Sequence, residues 1–404
     1  SAAEAAFKAL GIQSDMSIEQ YADDSVLFKC GYNDTFCHIL TFPVFLTLAS
    51  ERMVAFAGYI DTGKQNNIQA ISAPDRAKLV LNKEKNFTHI FTTTFNDSRK
   101  LSGKVSFSSI PKWMGEFREL SLLPISNPLL KSMRSRQWGM VTNVSSFEVK
   151  RHIDSFDTII GRITLTDETD LSNSFISLAF DWLKNNENGG EELVASSTIS
   201  STWVSIKGHG IVKQAPLPDY FKDYIAQLPS VKDSSRQLNR NSGIGSMLVS
   251  ISTQDSTQRK QYFLEQQQFL TSLEDSNLVG NIYYAHYYSW QARVRDKYLF
   301  KLLPEIFKQN NGIEFTCVHA EVSHLQEAMP FETIEVSMYL KELFEEGFTL
   351  YFEYYSVNGQ DKKKKLAHGA HTAICTALSP KTGIIKPITM PEVFMTQFKA
   401  MIKK

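Results

Sequence analysis

The chain has 404 residues, 42% hydrophobic and 21% charged, enough for two or three domains with a sizeable core and too apolar for a disordered polymer. Forty-three basic residues offset forty-three acidic ones, so net charge gives no ground for binding nucleic acid or a membrane surface. The four cysteines, Cys30, Cys37, Cys317 and Cys375, form no CxxC or Cys/His array with zinc spacing; this reads as reduced thiols in a cytosolic protein, with no metal or cofactor implied.

Residues 1–85 form an N-terminal extension of unassigned role. The chain opens at Ser1 rather than Met, which suggests a processed or excised protein with something missing upstream. Ala9–Tyr21 faintly echoes the phosphopantetheine-attachment stretch of carrier proteins, with Ser14 at the modified position, but it lacks the usual Asp before the Ser and Leu after it. Phe36–Ile60 is the most apolar stretch. Pro43 and the pair Glu51-Arg52 interrupt it, so a strand and a buried helix are expected here rather than a membrane span.

Residues 86–225 and 258–404 read as two copies of one unit, joined by a Ser-, Asn- and Gly-rich linker over 226–257. "GIVKQAPLPDYF" (Gly210–Phe221) matches "GIIKPITMPEVF" (Gly383–Phe394). "FDTI" at Phe156 answers "FETI" at Phe331, and "FDW" at Phe180 answers "FEY" at Phe352. Upstream, "NDSRKLSGKVSFSSIPKWMGEFR" (Asn96–Arg118) answers "EDSNLVGNIYYAHYYSWQARVR" (Glu274–Arg295) with one inserted residue. Gly103 then falls on Gly280, Trp113 on Trp290 and Arg118 on Arg295.

Within each copy the order is a short strand, an Asp-Ser turn, a helix through Trp and Arg, and four β-rich segments that partly alternate in polarity. This is an α+β pattern, an antiparallel sheet wrapped around a central helix. Pro111 falls within the predicted helix of the first copy and should kink or break it. A helix enclosed by a sheet is apolar on most sides, which accounts for the rings that follow Gly280.

"EDSNLVGNIYYAHYYSWQARVRDKYL" resembles the helix-entry motif of hot-dog-fold thioesterases, most closely the branch found with enediyne polyketide synthases. The resemblance covers the second copy end to end and the first more faintly. It implies a tandem (double) hot-dog fold, a pseudo-dimer within one chain, and the pairing of two such pseudo-dimers is plausible for this fold. The wider family writes the turn Asp-x-Asp; here Asp275 keeps the first position and Asn277 takes the second. An amide is a poor base and nucleophile but can hold a thioester carbonyl or position water.

The resemblance implies that Asn277 works with Arg295 in hydrolysing an acyl thioester on the phosphopantetheine arm of an acyl carrier protein, with decarboxylation to follow for a β-keto acid. Glu274 is an alternative general base. Gly280, Asn281, Tyr283, Tyr284, Tyr287 and Trp290 are candidate substrate-binding residues, although at least half of the rings, Tyr288 among them, are expected to be core. Arg295 has a structural alternative, an ion pair with Asp275 or Glu274.

In the first copy the Asn position is taken by Ser98 or Arg99, so that copy is expected to supply one wall of a single working site. Lys362, Lys363, Lys364 and Lys365 read as a hairpin tip that is either simply solvated or a dock for an acidic carrier protein. His368 and His371, three apart on a strand, face opposite ways and make a poor metal pair, and His286 is expected to be a satisfied core histidine. No HxxxGxxxxP dehydratase pattern, GxSxG or phosphate loop is present. The alternatives are an acyltransferase on the same fold and a non-catalytic acyl-chain-binding or assembly domain.

Overall fold

The computed structural model describes residues 16–22, 25–32, 35–47 and 50–59 by their backbone. It then describes residues 87–98, 103–136, 138–185, 189–208, 210–230, 261–307, 313–357, 363–378 and 385–402. The chain divides into two compact units, Ser1–Arg76 and Ala77–Lys404. Ser14, most of the linker, Lys362 and Gly383 lie outside the described residues.

The first unit is a four-stranded antiparallel meander, β1 (Met16–Ala22), β2 (Ser25–Tyr32), β3 (Thr35–Thr47) and β4 (Ser50–Tyr59), paired in chain order. The helix expected within Phe36–Ile60 is therefore two strands. The stretch is rich in β-branched and aromatic residues, and a helix interior would not accept Pro43. In β3 that proline pairs in register with Met53 and lies past the last β2 pair, Val26↔Thr41, where its missing N–H interrupts no ladder on that side.

The second unit is built around one antiparallel sheet of twelve strands. Its first half contains β5 (Phe87–Thr92), β6 (Trp138–Val149), β7 (Thr158–Leu165), β8 (Phe175–Asn185), β9 (Glu191–Gly208) and β10 (Ile211–Gln214). The second half contains β11 (Tyr262–Leu270), β12 (Ile313–His324), β13 (Thr333–Phe344), β14 (Gly347–Ser356), β15 (Lys364–Leu378) and β16 (Ile385–Pro387). The strand order is β11-β13-β14-β15-β12-β6-β9-β8-β7-β5, with β10 on β9 and β16 on β15. Read from the β12–β6 seam outward, the two halves have the same topology. Each wraps a helix, α1 (Ser109–Ser121) in the first half and α4 (Ala285–Leu302) in the second, and this is the tandem hot-dog fold.

The repeated sequence marks become repeated geometry. Gly103 and Gly280 both adopt positive φ, +74° and +89°, the left-handed region that glycine enters without a Cβ penalty. Phe156 and Phe331 share a φ rare for a ring-bearing residue, +70° and +67°. The same threonine holds each: the Phe156 N–H donates to the Thr93 carbonyl and the Phe331 N–H to that of Thr271. The two hydroxyls donate to the flanking carbonyls, Thr93 to Asp154 and Thr271 to Met329 and Glu332. Phe180 and Trp182 in β8, like Phe352 and Tyr354 in β14, are fully buried. Pro218 and Pro391 open the short closing helices α3 (Asp219–Ile225) and α5 (Glu392–Ile402), which bury Phe221 and Phe394.

The halves differ in their helices. α4 runs 18 residues, and α1 only 13. Pro111 does not break α1, because it occupies the first turn, where no intrahelical N–H bond is lost. Pro124 is the residue that shortens it. The chain leaves α1 through a 3₁₀ turn at Leu123–Ile125 and continues as a separate helix, α2 (Ser126–Arg136), absent from the sequence reading. The α1 terminus is satisfied by the Tyr224 hydroxyl, which donates to the Ser121 carbonyl.

The seam joins His319–Ser323 of β12 to Val144–Glu148 of β6 in antiparallel register. Under it Tyr288 of α4 crosses between halves: its hydroxyl donates to the Ser145 carbonyl at 2.7 Å and lies 2.9 Å from Ser145 Oγ. Replacing Tyr288 with Phe removes these bonds at constant ring packing. The expected cost is about 1–2 kcal/mol, read as a lower urea midpoint at unchanged m-value; an unchanged midpoint would show that the seam does not use this hydroxyl.

Candidate active site

Among the described residues two cavities lie between the halves, and each takes its arginine from one repeat and most of its entry-turn lining from the other, although Asp275 lines the cavity of Arg295. The first, about 900 Å³, is lined by Arg295 of α4 together with Lys104–Ser108 of the first repeat. The second, about 710 Å³, is lined by Arg118 of α1 together with Ser276–Val279 of the second repeat. Asn277 therefore shares a cavity with Arg118, and Arg295 lines the other one. The pairing of Asn277 with Arg295 expected from their closeness in sequence is not the one the fold makes.

Asn277 sits in a tight turn. Its backbone N–H donates to the Asn281 carbonyl at 3.0 Å, and its carbonyl accepts from Gly280 at 2.9 Å. Its Oδ1 accepts the Val279 N–H at 2.8 Å, the bond of an Asx turn. That fixes the amide orientation and leaves Nδ2 uncommitted among the described residues. Asp275 closes a capping box, its Oδ2 accepting from the Ser272 N–H and hydroxyl at 2.8 and 3.0 Å. Asp97 does the same for Thr94 in the first repeat. The bridges Ser98↔Val105 and Ser276↔Ile282 then equate Ser98 with Ser276. The counterpart of Asn277 consequently falls at Arg99, outside the described residues.

The two arginines, each 7% exposed, are held differently. Arg295 is held at all three nitrogens: Nε and Nη2 donate to Asp296 Oδ1 at 2.8 and 2.7 Å, and Nη1 donates to His371 Nε2 at 2.9 Å. Its ion-pair partner is thus Asp296, the next residue, rather than Asp275 or Glu274. Burial, and then the Arg295 charge beside it, hold the His371 imidazole well below its usual range. Cys317 Sγ lies 3.8 Å from His371 Nδ1, and burial pushes this thiol up to about 12, so it is no ready nucleophile.

Arg118 has only two long hydrogen bonds, from Nη1 to Thr142 Oγ1 at 3.3 Å and Ser201 Oγ at 3.4 Å, and its Nη2 lies 3.8 Å from the exposed Glu119 carboxylate. Its buried Nε has no partner among the described residues. The guanidinium stands 5.4 Å from the Tyr284 ring centroid. A buried cation with an open donor and an amide with an open donor, lining one cavity, could together receive a carbonyl oxygen.

The remaining expected residues are distributed between site and core. Tyr283 lines the Arg118 cavity, and burial raises its hydroxyl above the usual phenol range. Trp290 lines the Arg295 cavity. Tyr284, Tyr287 and Tyr288 are core, Tyr284 donating to the Pro111 carbonyl and Tyr287 packing on His324 and Tyr354. Gly280 makes the turn, and Asn281 is buried with its Nδ2 on Glu327; neither lines either of these two cavities. Glu274 is exposed and lines neither cavity, which removes the geometric basis for a general base there. Lys363 and Lys365 are ion-paired to Glu335 and Glu353, and Lys364 and Lys365 belong to β15, so this run is not a free basic tip. His286 is half-buried, its Nδ1 3.7 Å from Asp275 Oδ1, and burial lowers its pKa.

Arg118 is the residue that sequence reasoning passed over, and its retention in an otherwise degenerate repeat was the available signal. The apolar end of its cavity comes from Leu120, Leu129, Met133, Met140, Trp203 and Phe221. Three of these belong to the interrupted α1–α2 segment. Among the described residues no cluster of His, Cys, Asp and Glu could hold a metal ion, and no helix is long and apolar enough to cross a membrane.

Residues 271–398 match the model of the thioesterase-like superfamily. No curated protein matches the chain. Among solved structures, an acyl-ACP thioesterase from Bacteroides thetaiotaomicron is 11% identical, with 72% of this chain and 98% of that one covered at a TM-score of 0.47. The 12:0-ACP thioesterase from Umbellularia californica is 11% identical, covering 72% and 97% at 0.49. The dynemicin thioesterase is 24% identical, covering 35% and 97% at 0.32. The second repeat is thus similar to the thioesterase-like superfamily, and the first repeat has the same topology as the second.

Gly115 of α1 gives a direct test of the packing around this site. A Cβ at Gly115 would lie 1.6 Å from the Tyr283 hydroxyl oxygen, so the ring must move. Gly115→Ala should destabilise the protein by about 1–3 kcal/mol, despite alanine's higher helix propensity. Adding Tyr283→Leu should recover most of the loss in the same denaturation assay, and no recovery would place the strain elsewhere.

Proposed function

We propose that the chain hydrolyses an acyl thioester in the cavity shared by Asn277 and Arg118. The acyl chain lies against the leucines and methionines of α1, α2 and β6, and the thioester carbonyl meets the Asn277 amide and the Arg118 guanidinium. The observation that carries this reading is that one mostly apolar cavity is lined by an amide and a guanidinium, one from each repeat, each with a donor that has no partner among the described residues.

Water attacks the carbonyl carbon, the oxyanion forms between the two donors, and the tetrahedral intermediate expels the pantetheine thiolate. Glu116 and Glu119, which line the same cavity, are the carboxylates available to take the water's proton; the thiolate is then protonated and the acid released. The donor we infer is an acyl chain on the phosphopantetheine arm of a carrier protein, of fatty or polyketide type. A 3-ketoacyl chain would leave as a β-keto acid, and loss of carbon dioxide could follow beside the Arg118 charge.

Asn277→Ala and Arg118→Ala should each lower kcat/KM for decanoyl-carrier hydrolysis about 100-fold, a magnitude typical of losing one oxyanion donor. Arg295→Lys and Glu274→Gln should change it less than about fivefold on the same scale. Decanoyl-coenzyme A, run in parallel, shows whether the carrier contributes. Loss of turnover in Arg295→Lys with full activity in Arg118→Ala would move the chemistry to the other cavity.

A further inference from the structure

The Arg295 cavity is the topological counterpart of the proposed catalytic one, yet its chemistry is different. Six arginine and lysine side chains line it against three carboxylates, whereas the Arg118 cavity has two of each. Its arginine is neutralised by Asp296 and held by His371, with each guanidinium nitrogen already making one hydrogen bond.

Other cations stand at its edge. Arg293 and Lys297, one turn apart on α4, are exposed, as is Arg151 at the start of the β6–β7 connection, whose Nε donates to Glu192 at 2.8 Å. Arg293 has no carboxylate at ion-pair distance among the described residues, its guanidinium lying 5.8 Å from the Phe269 ring centroid. Lys297 is 3.9 Å from Glu265, a carboxylate that Lys301 also holds.

The wall contains an unmet polar atom. His152 lines the cavity, and its buried Nε2 has no hydrogen-bond partner among the described residues. Apolar side chains, Phe107, Ile153, Trp290, Leu299, Phe315 and Cys317, share the lining with polar ones. A cavity lined by excess positive charge together with apolar side chains is complementary to an anion on a hydrocarbon chain, and a buried unpaired nitrogen is costly unless a ligand meets it.

We propose that this cavity is a second, non-hydrolytic site that binds a long-chain carboxylate. The headgroup lies among Arg293, Lys297 and Arg151, with His152 Nε2 available to a headgroup oxygen, and the chain lies against Phe107, Leu299 and Phe315. Bond cleavage is not expected here, because the Arg295 charge is neutralised by Asp296 and Asn277 lies in the other cavity. The site does not require the Asn277 cavity to be catalytic.

The test is calorimetric titration of the full chain with dodecanoate, dodecan-1-ol and coenzyme A. The variants are Arg293→Glu/Lys297→Glu on the exposed face of α4, His152→Gln in the wall, and Met133→Trp, which fills the other cavity. Dodecanoate should bind wild type and Met133→Trp alike, at least tenfold more tightly than the alcohol. It should lose at least tenfold in the charge-reversed chain and threefold or more in His152→Gln. Equal affinity for acid and alcohol, or binding lost in Met133→Trp but kept in both other variants, would overturn the proposal. Coenzyme A displacing dodecanoate from the wild type and Met133→Trp would also overturn it, assigning the cations to nucleotide phosphates.

Discussion

The β12–β6 pairing is the constraint on which the rest of the structure depends. Five residue pairs, from His319↔Glu148 to Ser323↔Val144, join two hot-dog halves into one sheet and remove an exposed edge from each. The seam brings each central helix within reach of the other half's entry turn. Each cavity is then composite by construction. A residue on α1 can act with a turn 160 residues later, while two residues eighteen apart in one repeat face different cavities.

Once the sites are shared, the repeats can diverge without losing the fold. The backbone devices that shape each half are kept in both, including the positive-φ glycine and phenylalanine, the threonine that holds the latter, and the proline before the closing helix. The side chains that face the cavities have changed. Pro124 interrupts the first helix, and the resulting α1–α2 bend lines an apolar cavity beside a loosely held arginine. The second helix runs on through Arg293, Arg295 and Lys297, which gives the other cavity a cationic edge and an arginine neutralised by its neighbour. The two cavities thus differ in charge, which is the ground for proposing a neutral thioester in one and an anion in the other.

Much of this was legible in the sequence because backbone constraints leave local marks. The Gly103/Gly280, Phe156/Phe331 and Pro218/Pro391 matches revealed the repeat, and the helix–meander order gave the fold class. The enclosed helix also predicted that many of its rings would be core, as Tyr284, Tyr287 and Tyr288 are. The site was legible only in part. Asn277 and Arg295 share a motif, and sequence distance invites pairing them, but which arginine meets the amide is decided by a strand pairing between residues far apart. Glu274 and Lys363–Lys365 carry suitable charges, yet exposure removes the first from the cavities and ion pairs engage Lys363 and Lys365. The N-terminal strands were misread because an apolar run without clear periodicity does not distinguish a buried helix from paired strands.

The central claim is that the working site is assembled from both repeats, with Asn277 acting alongside Arg118. A double-mutant cycle on kcat/KM tests it most directly, combining Asn277→Ala with Arg118→Ala in one cycle and with Arg295→Ala in another. The account predicts strong non-additivity for Asn277 with Arg118, the double variant being little worse than either single one, and additive effects for Asn277 with Arg295. Coupling of Asn277 to Arg295, with additivity toward Arg118, would contradict it.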